Sequence, residues 1–215
     1  MIITYMGEQF FKISQGDLVL AFNPVSKDSK SKVSAHFGAD IAFITTNFNL
    51  FNGVSQLSHG EREPFVISGP GDYEVKETFI KGTLSSALIS DKPYINTIYS
   101  FVLDNMKVVF LGAISNIEIG KESREHIDNA DILFIPIGGN NVSKEVSFLD
   151  TKNAVKLINS IEPKLVIPMS YDDATLKSFL KELGGDPLSQ VDKLTIKSKD
   201  LIGKEASVVV LEPSK

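Results

Sequence analysis

Closely spaced apolar segments through the first half of the chain predict a β-rich fold. Ile2–Tyr5, Phe10–Ser14 and Leu18–Phe22 are apolar or alternating, with Gly7-Glu8 and Gln15-Gly16-Asp17 between them as hairpin turns. Ile41–Thr45 is predicted to be a buried strand because it is continuously apolar. Five more strands are predicted at antiparallel spacing: Phe65–Ser68, Tyr73–Val75, Thr78–Ile80, Thr97–Leu103 and Lys107–Leu111.

The second half alternates strands with two helices. Thr151–Ile161 and Ala174–Leu183 each place their apolar residues on one helical face. Asp150 or Thr151 is expected to cap the first helix, and Gly184-Gly185 to end the second. The remaining strands are predicted at Ile132–Ile137, Leu165–Pro168, Leu194–Lys197 and Ser207–Leu211.

One internal similarity bears on the architecture. Ala39–Ile44 resembles Ala130–Ile135, and each enters an apolar strand. Two halves built alike would form an α/β (α+β) fold, a four-layer αββα sandwich of two mixed sheets flanked by helices. Chance similarity of two short segments is the alternative. Because no long linker interrupts the chain, we expect one domain over residues 1–215.

Composition excludes several classes of function. The chain has 22 basic and 27 acidic residues, which argues against a nucleic-acid partner. It has no cysteine, so disulfides, iron–sulfur clusters and thiol catalysis are ruled out. No basic-flanked leader is visible, and no run approaches the roughly 18 apolar residues of a membrane helix, so a cytoplasmic protein without membrane partners is expected.

Individual motifs do not name an active site. His36, His59 and His126 are scattered, and Asp172-Asp173 is explained best as a helix N-cap. Gly138-Gly139-Asn140-Asn141 follows a strand, where α/β folds often bind ligands, but it lacks the spacing of a phosphate loop. Nicotinamide, flavin and P-loop fingerprints are absent, so no cofactor is predicted.

The order of segments nevertheless resembles the metallo-β-lactamase superfamily, in the branch similar to ascorbate-6-phosphate lactonase. The resemblance covers about Ile2 to Asp173. It is carried by Ile3–Gly7, Leu20–Pro24, Pro64–Ile67, Gly69–Val75, Val109–Gly112, Asp131–Gly139 and Pro163–Tyr171. It implies the αββα fold and, in the family, a dinuclear zinc centre that hydrolyses its substrate.

The same resemblance implies that the metal ligands are lost. Where the family carries T-H-x-H-x-D-H, this chain reads Thr45-Thr46-Asn47-Phe48-Asn49-Leu50-Phe51. The ligand positions of that motif correspond to Thr46, Phe48, Leu50 and Phe51. Further ligand positions are implied at Ala87, Ala113 and Ser170, and Asn23 stands for the Asp of the Asp-Pro motif. We therefore predict no metal and no family-type hydrolysis.

Two fates are open for the vacated positions. Phe48, Leu50 and Phe51 would each gain roughly 1.5–3 kcal/mol if they filled the old site as core. Alternatively, Phe48 and Phe51 would remain exposed as an apolar rim that marks a binding surface.

These considerations leave three hypotheses. The first is a metal-free, non-hydrolytic protein (a pseudoenzyme) that binds an unidentified small molecule or protein. Its remnant cleft is expected to contain Glu8, Thr46, Asn47, Asn49, Asn52, Ser170, Tyr171 and Asp172. The second is a hydrolase with relocated chemistry at Glu8, Asp172 or His59, acting on a small ester, lactone or phosphorylated metabolite. The third, which we combine with the first, is a structural subunit of a homo-oligomer.

Overall fold

The chain folds into two β-sheets packed face to face, as a computed structural model shows for residues 1–31, 33–35, 37–58, 60, 63–140, 142–184 and 190–214. The strands of the described part are β1 (Ile2–Gly7), β2 (Phe10–Gln15), β3 (Leu18–Phe22), β4 (Ile41–Ile44), β5 (Phe65–Ser68), β6 (Gly71–Val75), β7 (Thr78–Ile89), β8 (Lys92–Leu103), β9 (Met106–Phe110), β10 (Ile132–Pro136), β11 (Val146–Ser147), β12 (Leu165–Met169), β13 (Lys193–Thr195) and β14 (Ser207–Val208). The helices are α1 (Lys121–Ile127), α2 (Thr151–Ile161) and α3 (Asp173–Leu183). None of these helices is long and apolar enough to span a membrane.

Both sheets are mixed. The first has the order β13-β1-β2-β3-β4-β5, in which β3, β4 and β5 run parallel. The second has the order β11-β7-β8-β9-β10-β12-β14, with β6 added along β7, and β9, β10, β12 and β14 run parallel. Parallel strands are usually buried on both faces, which explains the continuous apolar character of β10 and β12.

Aromatic side chains fill the space between the sheets. Phe22 stacks on Phe43 with ring centroids 4.3 Å apart, and it also meets Phe110 of the opposite sheet at 4.9 Å. Phe11 contacts Phe134 edge-on at 4.9 Å. These rings belong to one cluster of buried residues drawn from both sheets, so this cluster holds the sandwich together.

The helices lie against the second sheet. Leu157 and Ile158 of α2 and Phe179 of α3 pack with the outward side chains of β10 and β12. The outer face of the first sheet is covered by loop residues such as Val25, Ala39 and Leu57 rather than by a described α-helix. The predicted sandwich of two mixed β-sheets is confirmed. Among the described residues its helical layer lies over the second sheet, while loops cover the first.

Several elements differ from the sequence prediction. The expectation that β5 continues an antiparallel sheet was wrong, because β5 pairs in parallel with β4. β7 and β8 extend to 12 residues each around the turn at Ser90-Asp91, whose positive φ angles of 48° and 59° suit a tight hairpin. The helix α1 was not predicted, since its seven residues carry little apolar periodicity.

Candidate functional site

The carboxyl ends of parallel strands from both sheets converge at one edge of the sandwich. Asn23 follows β3, Thr45 follows β4, Gly112 lies just beyond β9 and Ser170 follows β12. Ligand sites of α/β proteins commonly lie at this edge, because the strand ends release their backbone and side chains there. This edge is therefore the candidate functional site.

Buried amide and hydroxyl groups fill its centre. The Gln9 side-chain nitrogen donates to the Gly112 carbonyl and to Ser170 Oγ, both at 3.1 Å. Asn23 Nδ2 donates to Gln9 Oε1 and to Thr45 Oγ1 at 2.9 Å, and Asn23 Oδ1 accepts the Thr45 backbone N–H. Because these groups are satisfied by one another, they form a closed network of neutral groups.

A second part of the network is organised by Asn96 of β8. Its Oδ1 accepts from Thr46 Oγ1 at 3.0 Å and from the Ala113 backbone N–H at 2.9 Å. Its Nδ2 donates to Ser85 Oγ and to the Leu111 carbonyl at 2.7 and 2.9 Å. Asn96 is fully buried, and its amide connects β8 to the ends of β4 and β9.

Gly112 brings the two parts of the network together. Its φ of +65° lies in the left-handed region, and a Cβ atom there would stand 2.5 Å from Asn96 Oδ1 and 2.6 Å from Thr45 Oγ1. Only glycine fits such a position without moving the network. The left-handed residues Asn23 and Ser170 also lie at this edge, with φ of 45° and 53°.

An apolar cluster, here called the plug, lies beside the network. Its buried members are Phe51, Ala87, Ile89, Ala113, Val146 and Phe148, and half-buried Phe48, Leu50 and Val142 pack against them. Phe51 is only 1% exposed, so the filled-core alternative is confirmed for this residue and the exposed-rim alternative is wrong for it. Phe48 and Leu50 lie partly at the surface of the plug.

The predicted cleft residues do not line one open cavity. Thr46 and Ser170 are buried in the network. Asn52 Nδ2 donates to Asn47 Oδ1 at 2.8 Å, so these two side chains brace their own loop. Asn49 is half-buried, and its backbone carbonyl accepts the Ser26 N–H at 2.8 Å.

Glu8, Tyr171 and Asp172 lie at the periphery of this edge. Glu8 is half-buried and its Oε1 accepts from Ser31 Oγ at 3.2 Å. Burial, with a smaller contribution from Asp173, raises the pKa of Tyr171 to about 12. Asp172 caps α3, as the sequence predicted, and hydrogen bonds from the Thr175 hydroxyl and backbone N–H lower the pKa of its carboxyl group.

The side chains at this edge do not fit a zinc centre. Zinc in proteins prefers imidazole, thiolate and carboxylate ligands, whereas the positions implied by the resemblance hold hydroxyl, amide and hydrocarbon groups. In the described part of the chain, no three His, Asp or Glu side chains cluster closely enough to hold a metal ion. His126 lies on α1, away from the edge, while His36, His59 and Glu61 lie outside the described residues.

Sequence reasoning missed several members of the network. Gln9 was overlooked in favour of its neighbour Glu8, and Asn96 is a lone amide within a strand. An amide followed by apolar strand residues only weakly predicts a buried hydrogen-bonding residue, because the tertiary fold decides whether the amide is buried. Asn96 is buried in the second sheet, where its side chain makes four of the hydrogen bonds of the network.

Similar proteins support the fold. A structure from Thermotoga maritima, of a protein of the metallo-β-lactamase superfamily, superimposes with a TM-score of 0.75 at 22% identity, covering 98% of both chains. Igni18, a metallo hydrolase from Ignicoccus hospitalis, reaches a TM-score of 0.63 at 17% identity, covering 100% of this chain and 96% of its own.

Family membership rests on the sequence match. The family model of the β-lactamase superfamily domain matches residues 2–170, which is most of the 215-residue chain. That range contains the whole buried network and all the strands of both sheets except β13 and β14. The chain belongs to the metallo-β-lactamase superfamily.

Proposed function

We propose that this protein is a metal-free, non-hydrolytic member of the superfamily that binds a ligand or a partner. The observation that carries the proposal is a closed network of neutral groups and an apolar plug at the positions where the resemblance implies metal ligands. Within this proposal the ascorbate-6-phosphate lactonase-like ancestry, the cytoplasmic location and assembly into a homo-oligomer remain predictions.

The chemistry of the network supports the non-hydrolytic half of the proposal. Metal-dependent hydrolases of this type need a bound cation to generate hydroxide near neutral pH and to polarise the scissile bond. Asn23 and Gln9 are amides that already use their side-chain oxygens within the network. Neither can act as a general base, because a neutral amide does not accept a proton in water at ordinary pH.

Metal content per chain tests the proposal directly. Protein purified without chelator is expected to carry far less than one equivalent of zinc, iron or manganese by calibrated mass spectrometry. Its thermal midpoint is expected to stay unchanged when zinc or a chelator is added, because a cation without a site on the folded state does not stabilise it. One or two metals per chain retained through dialysis would overturn the proposal.

A turnover assay tests the competing hydrolase hypothesis separately. Esters, lactones and phosphorylated esters are expected to give no saturable turnover with the purified protein. Chelator-insensitive turnover that is lost in Glu8→Gln or Asp172→Asn would contradict the non-hydrolytic assignment. The charge-matched control is Asp104→Asn, which lies at the β8–β9 turn.

A further inference from the structure

A cavity of about 550 Å³ lies on the outer side of the plug. The turn end of the β7–β8 hairpin, the segments that follow β9 and β10, and the start of α2 form its walls. Ala87 and Phe148 belong both to the plug and to the lining of this cavity. The volume is within the range that small-molecule sites occupy in proteins, about 300–1,000 Å³.

Hydroxyl and amide groups of three separate segments line the cavity. Asn116 Nδ2 donates to Ser86 Oγ at 3.1 Å, and Asn153 Nδ2 donates to Asp150 Oδ2 at 3.1 Å. Ser147 of β11 adds another hydroxyl. Each hydroxyl offers one donor and two acceptor positions and each amide offers two donors, so these internal bonds leave capacity for a ligand.

The charge of the lining selects against anions. Its charged members among the described residues are Asp91 and Asp150, with no Lys, Arg or His. Asp150 is engaged as the N-cap of α2, where its two oxygens accept from the backbone and side chain of Asn153. Phosphate and carboxylate ligands would therefore face acidic groups without a basic partner.

The glycine pair beside the cavity also has a structural explanation. A Cβ atom on Gly138 would stand 2.1 Å from the Ser170 carbonyl oxygen and 2.3 Å from Val142. Gly139 has a φ of +56° and exchanges backbone hydrogen bonds with Leu149 and Phe148. The pair is required by close packing of the loop, so it supplies no evidence for a phosphate loop.

We propose that this cavity binds a neutral polyhydroxylated molecule, a sugar or a polyol. The hydroxyls and amides of Ser86, Asn116, Ser147 and Asn153 match the alternating donors and acceptors of such a ligand. The more exposed lining residues Leu88 and Pro93 offer an apolar surface to its C–H groups. The proposal rests on the proposed function, since it gives the bound ligand a place and a chemical class.

Chemical-shift mapping of the ¹⁵N-labelled protein tests the site. D-Ribose, D-glucose and myo-inositol are titrated to about 20 mM, which nearly saturates a site with a Kd of about 1 mM. At least one of them is expected to shift the amides of Ser86–Leu88, Ser115 and Asp150–Asn153 in a saturable way. Saturable shifts confined to other segments, or no saturable shift, would overturn the proposal.

Matched substitutions separate the cavity from the rest of the surface. Asn153→Leu and Asn116→Leu each remove one lining amide, and Asn159→Leu on the same helix α2 leaves the lining unchanged. The two lining variants are expected to weaken binding about tenfold, while the control stays within about twofold of the parent. Equal affinity in all three variants would overturn the site.

Ligand class is tested on the same sample. Inorganic phosphate and spermidine are titrated under the same conditions, and neither is expected to shift the cavity amides. Saturation by either ion in place of the polyols would overturn the neutral-ligand assignment. Metal content decides the proposed function independently, so a metal-free protein that binds no polyol would refute this inference alone.

Discussion

At the scale of single residues, amide, hydroxyl and hydrocarbon side chains determine what the strand ends can do. Asn23 Nδ2 donates to Gln9 Oε1, whereas two ionised carboxylates in such buried contact would repel each other. The Phe51 side chain is only 1% exposed, so its ring fills space inside the plug and excludes water there. The groups at this edge therefore satisfy one another by hydrogen bonding and packing.

Phe51→Ala tests the filling of the plug. Truncating a fully buried Phe is expected to lower the free energy of unfolding by about 3–5 kcal/mol, because it removes buried surface and leaves a cavity. Urea denaturation measures the change. Phe79→Ala is the matched control, since Phe79 is 70% exposed and its truncation is expected to cost less than about 0.5 kcal/mol. Equal costs for the two would show that Phe51 is not core.

Asn23→Asp tests the neutrality of the network. A carboxylate here loses the bonds that Asn23 Nδ2 gives to Gln9 and Thr45 and introduces a buried charge without a basic partner. We expect a loss of about 3–5 kcal/mol at neutral pH, measured by denaturant unfolding. Asn105→Asp adds the same charge at an exposed turn and is expected to be nearly neutral. An Asn23→Asp variant as stable as the parent at neutral pH would contradict the assignment of a closed neutral network.

At the scale of elements, short-range chemistry sets the helices and long-range pairing sets the sheets. α2 begins and ends at the predicted residues. Asp150 caps its N-terminus, and Pro163 stands two residues after its last residue, Ile161. β7 and β8 exceed their predicted lengths, because their polar ends are held by pairing with each other over ten registered positions. Local propensity cannot predict such pairing, since it depends on the partner strand.

The N-cap of α3 makes a pH-dependent contribution to stability. Hydrogen bonds from Thr175 lower the pKa of the Asp172 carboxyl group in the folded state. The stability that the ionised cap provides is therefore present above the unfolded pKa and is lost as pH falls through the folded pKa. Asp172→Asn, an equally good cap, is expected to remove this acid-side decline. Thermal midpoints of the two proteins across acidic pH measure it, and parallel profiles would contradict the assignment.

At the scale of the whole molecule, the two sheets are tied by aromatic packing and by one buried phenol. Tyr99 of β8 donates to the Ile44 carbonyl at 2.9 Å and lies 3.2 Å from the Ile67 carbonyl, so it joins the second sheet to the first. Burial raises the pKa values of Tyr5 and Tyr99, and that of Tyr171 to about 12. The folded state therefore holds these phenolic protons more tightly than the unfolded state.

Alkaline titration tests this inter-sheet role. Because the folded pKa values are raised, the associated stability is present below the unfolded value of 10.0 and is lost as pH rises through the folded values. Tyrosinate absorbance is expected to show Tyr5, Tyr99 and Tyr171 ionising late, with unfolding. Tyr99→Phe is expected to cost about 1–3 kcal/mol, against less than about 0.5 kcal/mol for partly exposed Tyr94→Phe. Ionisation of all five phenols in one early step would contradict it.

The order of its segments determined the superfamily fold of this protein, and its residue types determined that hydroxyl and hydrocarbon groups occupy the ligand positions that the resemblance implies. Both properties can be read from short segments and from residue identities, so the sequence alone is sufficient to predict them. Only the tertiary structure decided that Gln9, Asn96 and Gly112 meet in one network, that Phe51 is core, and that a polar cavity opens beyond Ala87. Those contacts join residues up to 161 positions apart, and their geometry follows from how two twisted sheets pack rather than from any short segment.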